Sequence, residues 1–163
     1  MKITALVENQ TSSELKGKHG LSLYIETTTH KILFDVGPDN TLFENCNKLN
    51  IDLSVIDTVI LSHGHMDHGG ALERFLQVNK TAKIYAQRKA FEKHYAKLLF
   101  MKFDVGISTS LSRHHQMVLL DGNHTIDDEL TLFTVTDTKK YYSRANNSLF
   151  TDEGKDDFAH EQN

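Results

Sequence analysis

Short apolar runs separated by polar turns mark the first part of the chain as a set of strands. The segments Ile3–Val7, Leu21–Ile25 and Lys31–Asp35 are apolar and contain β-branched residues, which is typical of strands. A turn at Thr27–His30 joins the second and third segments. This pattern predicts an antiparallel start to the fold, with a hairpin between the second and third strands.

Helical periodicity first appears after this hairpin. Leu42, Phe43, Cys46 and Leu49 recur at helical spacing, which predicts a helix from about Asn40 to Leu49. Because Cys46, the only cysteine, lies on the apolar stripe of this helix, we expect a buried structural thiol.

Strand-like and helix-like segments then alternate along the chain. This order, after an antiparallel start, predicts a mixed α/β (α+β) fold in which helices cover a face of a sheet. The predicted elements are strands at Thr58–Leu61 and Lys83–Ala86, helices at Ala71–Leu76 and Arg88–Phe100, and strands at Met117–Leu120 and Leu130–Val135.

Composition and charge narrow the classes of partner. The 163 residues are 39% hydrophobic and 25% charged, which is ordinary for one globular domain over residues 1–163. The net charge of −4 argues against a nucleic-acid partner, whose usual footprint is basic. No membrane partner is expected, since no apolar run approaches the roughly 20 residues that span a bilayer. The single cysteine favours a cytoplasmic location.

Four candidate metal ligands follow the predicted strand at 58–61: His63, His65, Asp67 and His68. If the chain stays extended, the side chains of His63 and His65 point to one side and form half of a tetrahedral zinc site. Asp67 and His68 could address a second ion. One or two divalent ions are therefore expected, with zinc favoured and iron or manganese also compatible. The alternative is a solvated histidine-rich loop that binds metal only adventitiously.

The remaining polar candidates carry less information. Asp35 ends a predicted strand, where it could hold a ligand histidine in one tautomer or simply form a turn. His160 lies near the end of the chain and has a weaker claim to a role. The isolated histidines expected on the polar surface are His19, His30, His94 and His124.

The segment from Ser62 to Gly70 resembles the His-x-His-x-Asp-His signature of the metallo-β-lactamase-fold hydrolases. Lys31–Gly37 resembles the strand of that family that ends in Asp-x-Gly. His19-Gly20-Leu21-Ser22 and the segment around His160 resemble a subgroup, the dihydropterin-linked ribofuranosyl-aminobenzene phosphate synthase-like proteins.

This resemblance implies the N-terminal part of a four-layer αβ/βα sandwich. It implies a first metal ion on His63 and His65 and a second on Asp67 and His68, with Asp67 also orienting the attacking water. His160 would lie near the site. The implied substrate is a small molecule, either a phosphate ester or a pterin-related compound.

The resemblance also implies a domain that is incomplete at its C-terminal side. Later ligands of the family are not recognisable after the motif, so we expect weak metal binding and an exposed apolar sheet face. Self-association or a complementing C-terminal half would cover that face. Two alternatives to an active enzyme follow: an inactive fragment that acts as a metal-binding or assembly module, and a metal-storage protein.

Overall fold

The computed structural model describes residues 1–11, 14–98, 100–135 and 147–151. A six-stranded sheet is the centre of this part of the chain. Its strands, numbered in chain order and given in spatial order, are β1 (Lys2–Val7), β2 (Ser22–Glu26), β3 (Lys31–Phe34), β4 (Thr58–Ile60), β5 (Lys83–Gln87) and β8 (Met117–Leu120).

The sheet changes from antiparallel to parallel at β3. The predicted hairpin is confirmed, since β2 and β3 pair antiparallel with Tyr24 opposite Leu33. From β3 onward, β4, β5 and β8 are all parallel neighbours. The carboxyl ends of these four strands therefore share one edge of the sheet, which is where loops of open α/β sheets carry functional groups.

Helices pack on one face of the sheet and form the core with it. They are α1 (Thr41–Leu49), α2 (Met66–Gly69) and α3 (Leu72–Val78). Leu33, Val59 and Ile84 are paired across three strands and are fully buried. Leu42 from α1 and Phe75 from α3 are also fully buried in this core cluster. None of the helices in the described residues is long and apolar enough to cross a membrane.

The predicted burial of Cys46 is confirmed. Its side chain lies in the core cluster and is 1% exposed. Desolvation by this burial raises the pKa of the thiol to about 12. A thiol that stays protonated is a poor nucleophile and a poor metal ligand, so Cys46 has a packing role.

The opposite face of the sheet is only partly covered. Phe34 and Ile60, which point away from the helices, are half-buried. With Tyr85 and Leu120 they line a groove of about 410 Å³, whose other wall is the segment 131–135. Phe133 in that segment is 77% exposed. An apolar groove of this kind is a common feature of an interaction surface.

The helix predicted at Arg88–Phe100 is wrong. Only a single 3-10 turn forms at Arg88–Phe91, and β6 (His94–Leu98) follows it. This strand lies between β7 (Met101–Asp104) and β11 (Leu149–Thr151) in a three-stranded antiparallel sheet. Pairing with a strand far along the chain overrides the helix-like local spacing of apolar residues.

The strand predicted at Leu130–Val135 is much shorter than expected. Only β10 (Thr131–Leu132) forms, and it pairs with β9 (His124–Thr125). The residues after β10 line the groove on the open sheet face instead of extending the strand.

Candidate metal centre

Parallel pairing of β3 and β4 brings two loops together at the carboxyl edge of the sheet. Phe34 lies opposite Ile60 at the ends of these strands. The Asp35 N–H then donates to the Ile60 carbonyl at 2.8 Å. Asp35 and Ser62, the residues that open the two loops, therefore lie side by side. The histidine motif begins directly after Ser62.

Three of the predicted ligands converge. The donor atoms of His63, Asp67 and His68 all lie within 4.8 Å of one another, and the three side chains are half-buried. The ring centroids of His63 and His68 are 4.2 Å apart, and His68 Nε2 is 3.6 Å from Asp67 Oδ2. The short helix α2 carries Asp67 and His68 on consecutive residues and turns both back toward His63.

His65, the fourth predicted ligand, lies beside this group rather than within it. It is only 6% exposed, and its ring meets the ring of His63 edge to face, with 4.6 Å between centroids. It directly precedes α2 as the N-cap residue, with extended backbone angles. The structure thus brings all four motif residues together, while the division of these ligands between a first and a second ion stays a prediction.

The Asp35 carboxylate orients His68 by a hydrogen bond. Asp35 is fully buried, and its Oδ2 lies 2.7 Å from His68 Nδ1. Because an ionised carboxylate only accepts hydrogen bonds, Nδ1 of His68 carries the proton. Nε2 then presents the lone pair that a metal ion needs. Of the two roles that the sequence left open for Asp35, this contact favours the one that orients a histidine.

Ser62 links the same carboxylate to His63. The Ser62 hydroxyl donates to Asp35 Oδ2 at 2.8 Å and lies 2.8 Å from His63 Nδ1. Its single proton is used on Asp35, so His63 Nδ1 must donate to the hydroxyl oxygen. The Ser62 N–H donates to Asp35 Oδ1 at 2.8 Å. One buried carboxylate thereby sets the tautomers of two histidines in the cluster.

The donor set fits a divalent ion of the zinc type. Two imidazoles with Nδ1 protonated offer neutral Nε2 atoms, and Asp67 adds a carboxylate oxygen. Nitrogen and carboxylate oxygen donors of this kind suit zinc, and also iron or manganese. His63, Asp67 and His68 could hold such an ion, with Asp35 and Ser62 fixing the rings.

The motif loop packs against Ala90, His94 and Val105, which the sequence pattern did not place near it. A Cβ on Gly64 would lie 2.0 Å from the Ala90 carbonyl oxygen and 2.6 Å from His94 Nε2. Behind the loop, the Met66 N–H donates to the Val105 carbonyl at 2.8 Å. Only a glycine allows the backbone at position 64 to come this close to Ala90 and His94.

The expectation that His94 lies on the polar surface is wrong. His94 is fully buried, and its ring centroid is 5.4 Å from that of His65. It begins β6, a strand in the segment expected to be helical. A residue placed by distant strand pairing gives no local sequence signal, so spacing could not have found it.

A second histidine was also missed. His19 is exposed, as expected, yet its Nε2 lies 3.3 Å from Asp67 Oδ2. The subgroup resemblance at 19–22 was the one signal that could have indicated it. The remaining predicted site residue, His160, lies outside the described residues, so its proximity to the site stays a prediction.

The family model of the metallo-beta-lactamase superfamily matches residues 15–153. A solved structure of a metal-dependent hydrolase of the beta-lactamase superfamily matches with a TM-score of 0.72 and 20% identity, covering 94% of this chain and 55% of that one. This match confirms the predicted fold, a mixed α/β chain that corresponds to the N-terminal part of a metallo-β-lactamase sandwich.

Two curated relatives come from Methanocaldococcus jannaschii. An uncharacterized protein is 30% identical over 130 residues, which cover 78% of this chain and 50% of that protein. The 7,8-dihydropterin-6-methyl-4-(beta-D-ribofuranosyl)-aminobenzene-5'-phosphate synthase is 36% identical over 105 residues, which cover 59% of this chain and 35% of the synthase. The chain thus spans half or less of the length of these relatives. By its fold, its motif and the extent of the family match, it belongs to the metallo-beta-lactamase superfamily.

Proposed function

We propose that this chain carries the N-terminal share of the metal centre of a metal-dependent hydrolase. The observation that carries the proposal is the convergence of His63, Asp67 and His68 above the buried Asp35 carboxylate. In this proposal His63 and His65 serve a first ion, and Asp67 and His68 serve a second.

Bound divalent ions would supply Lewis acidity and lower the pKa of a water molecule. The chain's own residues would orient the ligands and the attacking water. Asp35 and Ser62 keep the ring nitrogens in the tautomers that bind metal. Asp67, whose second oxygen is not needed for one metal bond, would orient the attacking water.

We propose zinc as the ion, with iron or manganese compatible with the same donors. The proposed substrate is a phosphate ester or a pterin-related small molecule. Support for this class comes from the name of the curated relative, a dihydropterin-linked phosphate synthase. The relative shares 36% of residues over the matched part, which includes no more than 59% of this chain.

A complete centre needs more ligands than the motif offers. Catalytic zinc usually takes three protein ligands and a water molecule. We propose that a complementing C-terminal half, or a second copy of this chain, completes the centre and covers the groove lined by Phe34, Ile60 and Phe133. Sedimentation equilibrium tests this. Concentration-dependent association supports a second copy of the chain, whereas a protein that is monomeric at every concentration and still turns over substrate shows that no completing partner is needed.

The catalytic part is tested by metal-dependent turnover. At concentrations at which it self-associates, the purified chain loaded with zinc or manganese should hydrolyse bis(4-nitrophenyl) phosphate, and His65→Ala and Asp67→Asn should abolish that turnover. His115→Ala is the matched control, because His115 is an exposed histidine outside the cluster. Undiminished hydrolysis by the His65→Ala protein would rule out the proposal.

One observation favours a second candidate function. The apolar groove, in which Phe133 is 77% exposed, is a surface that an inactive metal-binding or assembly module would use. That function predicts metal binding with no turnover at any loading. A metal-storage role, in contrast, requires more than two ions per chain, so the measured stoichiometry separates it from both other functions.

A further inference from the structure

The loop between β1 and β2 brings a histidine from outside the motif to the metal centre. His19 Nε2 lies 3.3 Å from Asp67 Oδ2. The same carboxylate oxygen lies 3.6 Å from His68 Nε2. One oxygen of Asp67 therefore has beside it an imidazole nitrogen from each of two separate segments of the chain.

Main-chain contacts fix the position of this loop. The Leu21 N–H donates to the Asp67 carbonyl at 3.3 Å. Gly20 has a φ of +132°, and a Cβ there would lie 2.1 Å from the same carbonyl oxygen. At the other end of the loop, the fully buried Asn45 binds both the N–H and the carbonyl of Lys16. The approach of His19 to Asp67 is thus built into the backbone.

A hydrogen bond to Asn9 sets the tautomer of His19. The Gly20 N–H donates to Asn9 Oδ1 at 3.2 Å, which identifies that atom as the amide oxygen. His19 Nδ1 lies 3.2 Å from the same oxygen. Since an amide oxygen only accepts, Nδ1 must carry a proton, and Nε2 is the ring nitrogen that faces Asp67.

This arrangement is the one that metal-binding histidines adopt. Such a histidine usually donates its other ring N–H to a protein acceptor, which fixes the ring and its tautomer. A divalent ion placed between His19 Nε2 and Asp67 Oδ2, which are 3.3 Å apart, would attract both the ring nitrogen and the carboxylate. Two donors on one tetrahedral zinc ion are themselves about 3.3 Å apart, given bonds of about 2.0–2.1 Å.

We propose that His19 is a further metal ligand, which adds its Nε2 to the ion held by Asp67. This inference rests on the proposed metal function. His19 supplies that ion with a protein ligand from upstream of the motif, beside the carboxylate oxygen of Asp67. The His19 side chain is 80% exposed, which gives the ring room to turn toward the ion as it binds.

Metal affinity of the full chain provides the first test. Zinc binding is measured by competition with a chromophoric chelator for wild type, His19→Gln, Asn9→Leu and the control His115→Ala. Glutamine keeps an N–H that can hold Asp67 in place but is a poor zinc ligand. We expect His19→Gln to lose at least roughly tenfold in affinity for one ion, and Asn9→Leu to lose roughly 10- to 100-fold, as for other partners of ligand histidines.

The second test identifies the ligand directly. In the Co²⁺-loaded wild type, the Nδ1–H of a bound His19 gives a strongly shifted, exchangeable proton signal, which must vanish in His19→Gln. Wild-type affinity in His19→Gln, or an unchanged set of shifted signals, overturns the inference while leaving the proposed function intact. A wild-type chain that binds neither zinc nor cobalt defeats both.

Discussion

Asp35 Oδ2 accepts a hydrogen bond from His68 Nδ1 across 2.7 Å, and the carboxylate that does so is fully buried. Asp35 directly follows β3 and His68 lies in α2, which follows β4, and the two meet because β3 and β4 are parallel neighbours. Buried carboxylates are costly unless their oxygens are well hydrogen-bonded. Asp35 meets this condition through Ser62 and His68.

Replacing Asp35 should therefore weaken both metal binding and folding. We expect Asp35→Asn to reduce zinc affinity roughly 10- to 100-fold, because the amide no longer secures the tautomer of His68. Unfolding in urea should show a loss of about 1–3 kcal/mol, because donors that now reach Asp35 lose a charged acceptor. Asp128→Asn, at an exposed carboxylate, is the control. Equal zinc affinity in both variants would contradict the role assigned to Asp35.

Ser62 should control the tautomer of His63. Ser62→Ala removes the hydroxyl that lies between His63 Nδ1 and Asp35, whereas Ser62→Thr retains it. Nitrogen-15 NMR of the metal-free protein distinguishes a protonated Nδ1 from a protonated Nε2. We expect the His63 ring to be protonated at Nδ1 in wild type and Ser62→Thr, and to be a mixture of tautomers in Ser62→Ala. A single unchanged tautomer in all three would count against the link.

Gly64 should tolerate no side chain, for steric reasons alone. A Cβ would lie 2.0 Å from the Ala90 carbonyl oxygen, so Gly64→Ala must displace the motif loop from Ala90. Overpacking of this kind costs about 1–3 kcal/mol, and we expect zinc affinity to fall as well. Gly122→Ala is the matched control: its φ is +126° but nothing lies within 4 Å of the added Cβ. It should lose some stability, measured by urea unfolding, and keep its zinc.

How far the site could be predicted depended on how local each contact is. The strand into the motif, the Asp35 strand end and the four ligands of the motif occupy short continuous segments, so their spacing in the sequence predicts their proximity. His94 and Val105 reach the motif through β6 and β7, whose pairing with each other and with β11 is not encoded in any local window. The helix-like spacing of Phe91 and Tyr95 therefore led to a wrong assignment.

His19 shows a different limit. Its loop is polar and irregular, and the glycine at 20 and the hydrogen bond from Leu21 help to bring it to Asp67. A positive φ at a glycine can be suspected from the sequence, but the residue that the glycine packs against cannot. The fold of the sheet was accessible from hydrophobic periodicity, whereas the residues that back and flank the metal cluster required the three-dimensional structure.

His30 ties the turn between β2 and β3 to the segment before β10. Its Nδ1 lies 2.7 Å from Asp57 Oδ1 and its Nε2 2.6 Å from Asp127 Oδ2. Hydrogen bonds to Asp57 and then to Asp127 raise the pKa of His30 above its ordinary value of 6.5. A raised folded-state pKa gives stability that is complete below the unfolded-state pKa and is lost as the pH rises through the folded-state value.

Thermal unfolding between pH 5 and 9 should reveal this contact. The melting temperature of wild type should exceed that of His30→Gln at low pH, and the difference should shrink as the pH rises above 6.5, the ordinary pKa of the histidine. The comparison with His30→Gln cancels the contribution of other titrating groups. A difference that is constant or grows with pH would show that the imidazolium does not stabilise the fold.

We infer that the histidine motif of this chain is a metal centre. The most direct test is the zinc content of the purified protein after equilibration with excess zinc and removal of unbound ion. Zinc is measured for the wild type, for the motif variant His63→Ala/His68→Ala and for the control His114→Ala/His115→Ala. We expect one or two zinc ions per chain in wild type and control, and loss of this zinc in the motif variant. Equal zinc content in all three proteins would contradict it.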